Sequence, residues 1–169
     1  MNDRHRAPAG THIGHIHLKV AQLDRAVTFY RDILGFDLVF QYGAQAAFLS
    51  ADGYHHHIGL NTWESENGAP PSVGTTGLYH FAINYPTRRD LAVALDRLTA
   101  AQWRIDGASD HGTHEAIYLR DPDGNGIELA WDRDRSDWFK SDGTIEMTTK
   151  ALDLEGLLGE RSASPASGA

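Results

Sequence analysis

The chain has 169 residues, no cysteine and ten histidines. Its length suits one domain, or two small modules sharing a core, and folding buries roughly 70% of the surface of an unfolded chain this size. The lack of cysteine excludes disulfide frameworks, thiolate zinc sites, iron–sulfur clusters and cysteine nucleophiles. Fifteen basic residues against 23 acidic ones, a formal charge of −8, argue against a nucleic-acid partner, because phosphate tracking runs on basic patches. No apolar run approaches the ~18 residues of a membrane span, and the N-terminus lacks the apolar stretch of a signal peptide. The expected protein is soluble and cytoplasmic, with no membrane partner. Its histidines are the obvious carriers of chemistry, since imidazole is the commonest metal ligand and titrates nearest neutral pH.

Residues 1–11 are polar and aperiodic and read as a flexible arm. "HIHLKV" (15–20) alternates strictly, with Ile16, Leu18 and Val20 on one face and His15, His17 and Lys19 on the other, the pattern of a strand with one buried side. Leu23, Val27, Tyr30 and Leu34 follow at helical spacing, and Gly35 is the expected stop. Strands are expected at 37–42, 46–50 and 55–61, with turns at Gly43 and Asp52-Gly53. A connector rich in Gly, Pro and Ser, roughly 64–76, leads to a second pass. "LYHFAINY" (78–85) alternates again, a helix is expected over 87–101, and strands near 103–107, 115–120 and 127–131. Both passes read βαβββ, and 65 residues separate His15 from His80, which marks an internal structural repeat. The expected fold is α+β: two tandem βαβββ modules (12–63 and 77–132) forming a curved mixed sheet around a metal-binding cavity, within a single domain over 12–138. A C-terminal extension (139–160) and a disordered tail (161–169, rich in Ser and Pro) complete the chain.

Alternation also sorts the candidate site residues. His15 lies opposite Ile16 and Leu18, His80 opposite Phe81 and Ile83, and Glu128 opposite Ile127 and Leu129. If the apolar sides pack on the helices, two histidines and one carboxylate from three strands share the other face. That is the inventory of a two-His-one-carboxylate triad, which suits divalent iron or manganese and leaves positions open for a chelating substrate and a second small molecule. His17 shares a face with His15, but its repeat equivalent is Ala82, so His15 is preferred. "DPDGNGIELAWD" (121–132) matches the start of a calcium EF-hand loop. Its flanks read as strands rather than helices, so it is expected to be a turn that aims Glu128.

Paired βαβββ modules, with a histidine on the first strand of each and a glutamate on the last, resemble the vicinal oxygen chelate superfamily of glyoxalases, antibiotic-resistance binders and extradiol dioxygenases. More closely, "GLYHFAINYPTRRDLAVAL", "GASDHGTHEAIYLRDPDGNGIELAWDRDRSDW" and "LDLEGLL" resemble bacterial catechol 2,3-dioxygenases. The resemblance covers about 14–158 and is strongest over 77–138. It implies ring cleavage of a catechol-type aromatic with O2, with His15, His80 and Glu128 holding Fe(II), or Mn(II). It further implies catalytic roles for Tyr118, ten residues ahead of Glu128, and for His111. A histidine of "YHHHIGL" is implied as well: the family's spacing points to His56, strand alternation to His57. Trp63 is a candidate wall of an aromatic pocket. Such enzymes generally carry four modules; with one pair here, a homodimer or higher homo-oligomer is expected to rebuild the cover. The alternatives are a glyoxalase-like metal-dependent isomerase or lyase, which usually adds a fourth protein ligand on the last strand of the first module, and a non-catalytic binder that sequesters a small aromatic molecule.

Overall fold

The computed structural model describes residues 5–162; most of the expected tail, 163–169, lies outside them. The described residues divide into two compact units, one comprising 5–31 and 35–68, the other 32–34 and 69–162. The two expected modules fall largely one in each.

In the first unit, β1 (Ile16–Lys19) is followed by helix α1 (Leu23–Thr28), which relaxes into a π-helical turn at Phe29–Ile33. The Gly35 and Phe36 N–H groups bond the Arg31 and Tyr30 carbonyls and close the helix, as the glycine stop anticipates. Strands β2 (Asp37–Tyr42), β3 (Ala46–Ser50) and β4 (Ile58–Asn61) complete a four-stranded sheet in the order β1-β4-β3-β2. Leu18, Val20, Leu49, Ile58 and Leu60 are buried with Leu23, Ala26 and Phe29 of the helical segment. Burial of these apolar faces is the main source of the unit's stability.

The second unit repeats the order. Strand β5 (Phe81–Asn84) leads to helix α2 (Arg88–Ala100), then β6 (Ile105–Asp110), β7 (His114–Arg120) and β8 (Gly126–Asp132). The Thr87 hydroxyl accepts the Asp90 N–H at 3.1 Å and caps α2. Leu91, Leu95 and Leu98 are buried with Ile117, Leu119, Ile127 and Leu129; the 3.6-residue stripe of the helix meets the alternate residues of the strands. The five-stranded sheet runs β5-β8-β7-β6-β9, where β9 is the short Lys150–Ala151 strand of the C-terminal extension. Each module thus carries its own sheet.

Three elements differ from the sequence reading. The strand expected from 55 begins at Ile58, so His55, His56 and His57 lie on the β3–β4 loop. The strand expected at 103–107 begins at Ile105 and runs to Asp110, because the Trp103 N–H bonds the Leu98 carbonyl at 2.9 Å and still belongs to the end of α2. The extension, for which no element was expected, carries a short strand and a helix. Helix α3 (Leu154–Gly159) is capped by Asp153, whose Oδ1 accepts the Gly156 N–H, and buries Leu157 beside α2. A helical turn over Glu160–Ser162 takes in the first two residues of the expected tail. Among the described residues, no helix is long and apolar enough to cross a membrane.

Candidate active site

Glu128 sits mid-strand on β8, with Ala82 of β5 on one side and Tyr118 of β7 on the other. Its neighbours Ile127 and Leu129 turn into the core, so the period-2 geometry of the strand forces its carboxylate onto the opposite face. The side chain is only 10% exposed. His80 Nε2 lies 3.0 Å from Oε2, His114 Nε2 lies 3.0 Å from Oε1, and the Tyr118 hydroxyl lies 3.3 Å from Oε1. Such polar neighbours offset the cost of burying the carboxylate.

His80 immediately precedes β5, and its placement depends on Gly126. A Cβ at position 126 would fall 2.1 Å from the Tyr79 carbonyl oxygen and 3.1 Å from the His80 Cβ. Only glycine permits this close backbone approach. The turn before β8 is built by Asp121, whose Oδ1 accepts the Asp123 and Asn125 N–H groups at 2.9 and 2.8 Å, while Oδ2 accepts from the Asn125 amide. The "DPDGNG" segment therefore spends its first carboxylate on capping a turn between two strands, as an Asx turn does.

His111 and Tyr118 form a pair beside the carboxylate. The His111 Nδ1 lies 2.8 Å from the Thr148 carbonyl, which only accepts, so Nδ1 carries a hydrogen; Nε2 lies 2.8 Å from the Tyr118 hydroxyl. Burial, followed by the charge and hydrogen bond of Glu128, pushes the Tyr118 phenol up to about 12, so it stays a donor at neutral pH. His80, His111, Tyr118 and Ser109 line one cleft of about 370 Å³, within the usual range for small-ligand sites.

The corresponding face of the first unit is aromatic. His17, Gly59, Phe48 and Phe40 form one row across its strands. They are the register counterparts of Ala82, Glu128, Tyr118 and Gly107 in the second unit. Gly59 thus stands where the second unit has its carboxylate, and a Cβ there would meet the His17 ring at 2.8 Å. His15 immediately precedes β1, as His80 precedes β5. Its ring lies 4.4 Å from that of His56, which also packs edge-on to Phe48 at 5.1 Å. Desolvation, then the neighbouring imidazoles led by His15, hold His56 below the usual histidine range. His57 serves the loop instead: its Nδ1 lies 3.2 Å from the Ser50 hydroxyl and accepts the Ala51 N–H at 3.3 Å. The alternation that favoured His57 presumed a strand that has not yet begun there. Trp63 is exposed, its ring 5.8 Å from that of His17.

Of the expected site residues, His80, His111, Tyr118 and Glu128 therefore meet in the second unit, and His15 and His56 meet in the first. Among the described residues, no group of three His, Asp or Glu side chains is disposed to hold a metal ion. The His80–Glu128 pair nevertheless fits one. The two groups stand side by side, Nε2 3.0 Å from Oε2. Imidazole with carboxylate is also the donor chemistry of divalent iron and manganese.

The profile of the Glyoxalase/Bleomycin resistance protein/Dioxygenase superfamily matches residues 12–129. The chain belongs to that superfamily. Within this superfamily's range of activities, the chain is 44% identical over 152 residues to a catechol-2,3-dioxygenase from Bacillus subtilis, covering 89% of this chain and 52% of that protein. It is 33% identical over 122 residues to biphenyl-2,3-diol 1,2-dioxygenase 3 from Rhodococcus globerulus, covering 71% and 63%. The chain thus spans between half and two-thirds of the length of these relatives. A glyoxalase/dioxygenase structure from Nostoc punctiforme superposes with a TM-score of 0.64 at 21% identity, over 78% of this chain and 99% of that one, which supports the fold.

One residue at the centre was not singled out by the sequence: His114, which bonds the same carboxylate as Tyr118. Its signal was available, because 114, 116 and 118 share a face of β7.

Proposed function

We propose that this superfamily member is an extradiol dioxygenase that opens the ring of a catechol-type aromatic beside its hydroxyl pair, using O2 and divalent iron, with manganese as the other metal its donors suit. The observation that carries the reading is the pairing of His80 with Glu128, with His80 lining one small-molecule-sized cleft together with the linked His111 and Tyr118. The 44% identity to a catechol-2,3-dioxygenase supports it. His15 is the proposed third ligand, on the ground that it precedes β1 as His80 precedes β5. Iron held by these three would supply Lewis acidity and bring the two substrates together.

The chain's own residues then have distinct tasks. His56, kept neutral by desolvation and its imidazole neighbours, accepts a proton from a substrate hydroxyl. Tyr118, hydrogen-bonded to His111, would turn its single hydroxyl hydrogen to the oxyanion that develops and stabilise it. The ring C–C bond adjacent to the two hydroxyl-bearing carbons breaks and both atoms of O2 enter the product, a ring-opened semialdehyde, so no external reductant is consumed. Trp63 is proposed as an aromatic substrate contact, and a homodimer or higher homo-oligomer as the working assembly. The glyoxalase-like isomerase or lyase alternative is disfavoured by Gly59, which leaves no carboxylate at the counterpart of Glu128.

The test is anaerobic reconstitution with Fe(II), followed by catechol and air in an oxygen electrode. Uptake that depends on both iron and catechol is expected. Iron-loaded protein that consumes no oxygen with any of several substituted catechols would defeat the proposal, and purified protein that takes up neither metal would favour a sequestering binder.

A further inference from the structure

We infer that His114 is a positioning residue for Glu128, holding carboxylate oxygen Oε1 so that Oε2 is the one presented on the side of His80. The inference rests on the proposed metal reading and extends it to a residue outside the ligand set.

The two residues are not register partners. Glu128 lies opposite Tyr118, whereas His114 lies opposite Asp132. Four residues of β7 separate these positions, about 13 Å along the strand, and still His114 Nε2 lies 3.0 Å from Glu128 Oε1. The side chains reach one another over the Ala116–Ala130 pair, which occupies the register between them. Both alanines are buried, and their small side chains leave the space above them open to the two long ones.

The ring of His114 is itself fixed. Both ring nitrogens are engaged: Nε2 lies 3.0 Å from Glu128 Oε1 and Nδ1 lies 2.8 Å from the Thr113 hydroxyl. The His111 ring lies alongside, with centroids 4.8 Å apart. Tyr118 has one hydroxyl hydrogen, and its shorter contact is to His111 at 2.8 Å rather than to Oε1 at 3.3 Å. That leaves His114 as the principal donor to Oε1. Oε2, 3.0 Å from His80 Nε2, is the oxygen left for a shared metal. Hydrogen bonding to a ligating carboxylate fixes its binding mode, and loss of such a partner lowers metal affinity about 10- to 100-fold.

The test is Mn(II) binding by the full chain, measured by calorimetry and by electron paramagnetic resonance, with thermal unfolding as the check on folding. His114→Ala and His114→Phe remove the donor; the second keeps a ring of similar bulk. His114→Gln retains an N–H donor. The expected result is Mn(II) affinity lowered about 10-fold in H114A and H114F, with an altered resonance spectrum, and most of the affinity recovered in H114Q. If H114F does not fold, the H114A–H114Q comparison decides. Wild-type affinity in a donor-less variant, or an H114Q that binds no better than H114A, overturns the inference alone. Absence of stoichiometric Mn(II) binding by the wild type, or undiminished binding by Glu128→Gln, overturns the metal reading and this inference with it.

Discussion

Gly126→Ala isolates the backbone geometry on which His80 depends. The new Cβ would lie 2.1 Å from the Tyr79 carbonyl oxygen, 3.1 Å from the His80 Cβ and 3.2 Å from its Cα. Ordinary carbon–oxygen contact begins near 3.4 Å, so the Tyr79–His80 backbone must retreat by about 1 Å or more. Overpacking of this kind costs about 1–3 kcal/mol. The larger effect falls on the site, because His80 Nε2 and Glu128 Oε2 are 3.0 Å apart and a 1 Å misplacement is enough to cost roughly 100-fold in a positioned centre. Gly107→Ala is the matched control: Gly107 faces Tyr118 across the same sheet, and a Cβ there meets nothing within 4 Å. The assays are urea unfolding and Mn(II) titration. G126A is expected to lose 1–3 kcal/mol and at least about 10-fold in metal affinity, while G107A stays within about 0.5 kcal/mol of wild type. A G126A protein as stable and as metal-competent as G107A would refute the reasoning.

Further outcomes follow from the polar framework around the site. Glu115, nearly buried, is clamped by Arg88 at 2.8 Å and Arg133 at 3.0 Å; its truncation to alanine is expected to cost about 3–5 kcal/mol in urea unfolding, and a loss under 1 kcal/mol would contradict this. Asp110 is held below its ordinary carboxyl range first by its hydrogen bonds to Arg133. Because the folded value is the lower one, its contribution to stability is present at neutral pH and is lost as pH falls through that value. The stability gap between wild type and Asp110→Asn should therefore be flat from pH 7 to 5 and narrow below about pH 4; a gap that widens in acid would be the wrong sign. Asp121→Ala removes the acceptor of two turn N–H groups and should cost about 1–3 kcal/mol, with about 1 mM calcium leaving the wild-type unfolding midpoint unchanged. A calcium-dependent rise in that midpoint would restore the EF-hand reading.

The fold was legible because burial here obeys simple periods. Ile127 and Leu129 point one way and Glu128 the other, and that alternation alone put the carboxylate on the right face. The helix expected over 87–101 was equally plain, and its Leu91, Leu95 and Leu98 are buried. Less legible were features set by single polar contacts or by tertiary pairing. Nothing in the run of three histidines shows that the first of the β4 residues is Ile58, because the His57 bonds to Ser50 and Ala51 form only when the loop closes. The two-residue strand at Lys150–Ala151 exists by pairing with Ser109 and Asp110, and two residues carry no period. His114 was left without a role for a narrower reason: the strand was expected to start at 115, one residue short of the position that shares a face with Tyr118.

The central claim is the site of ring opening, and isotopic oxygen tests it most directly. Fe(II)-loaded protein given catechol under 18O2 is predicted to release a semialdehyde carrying two labelled atoms, with ring cleavage outside the hydroxyl pair. A dicarboxylate from cleavage between the hydroxyls, or unchanged catechol with iron bound stoichiometrically, would contradict the account.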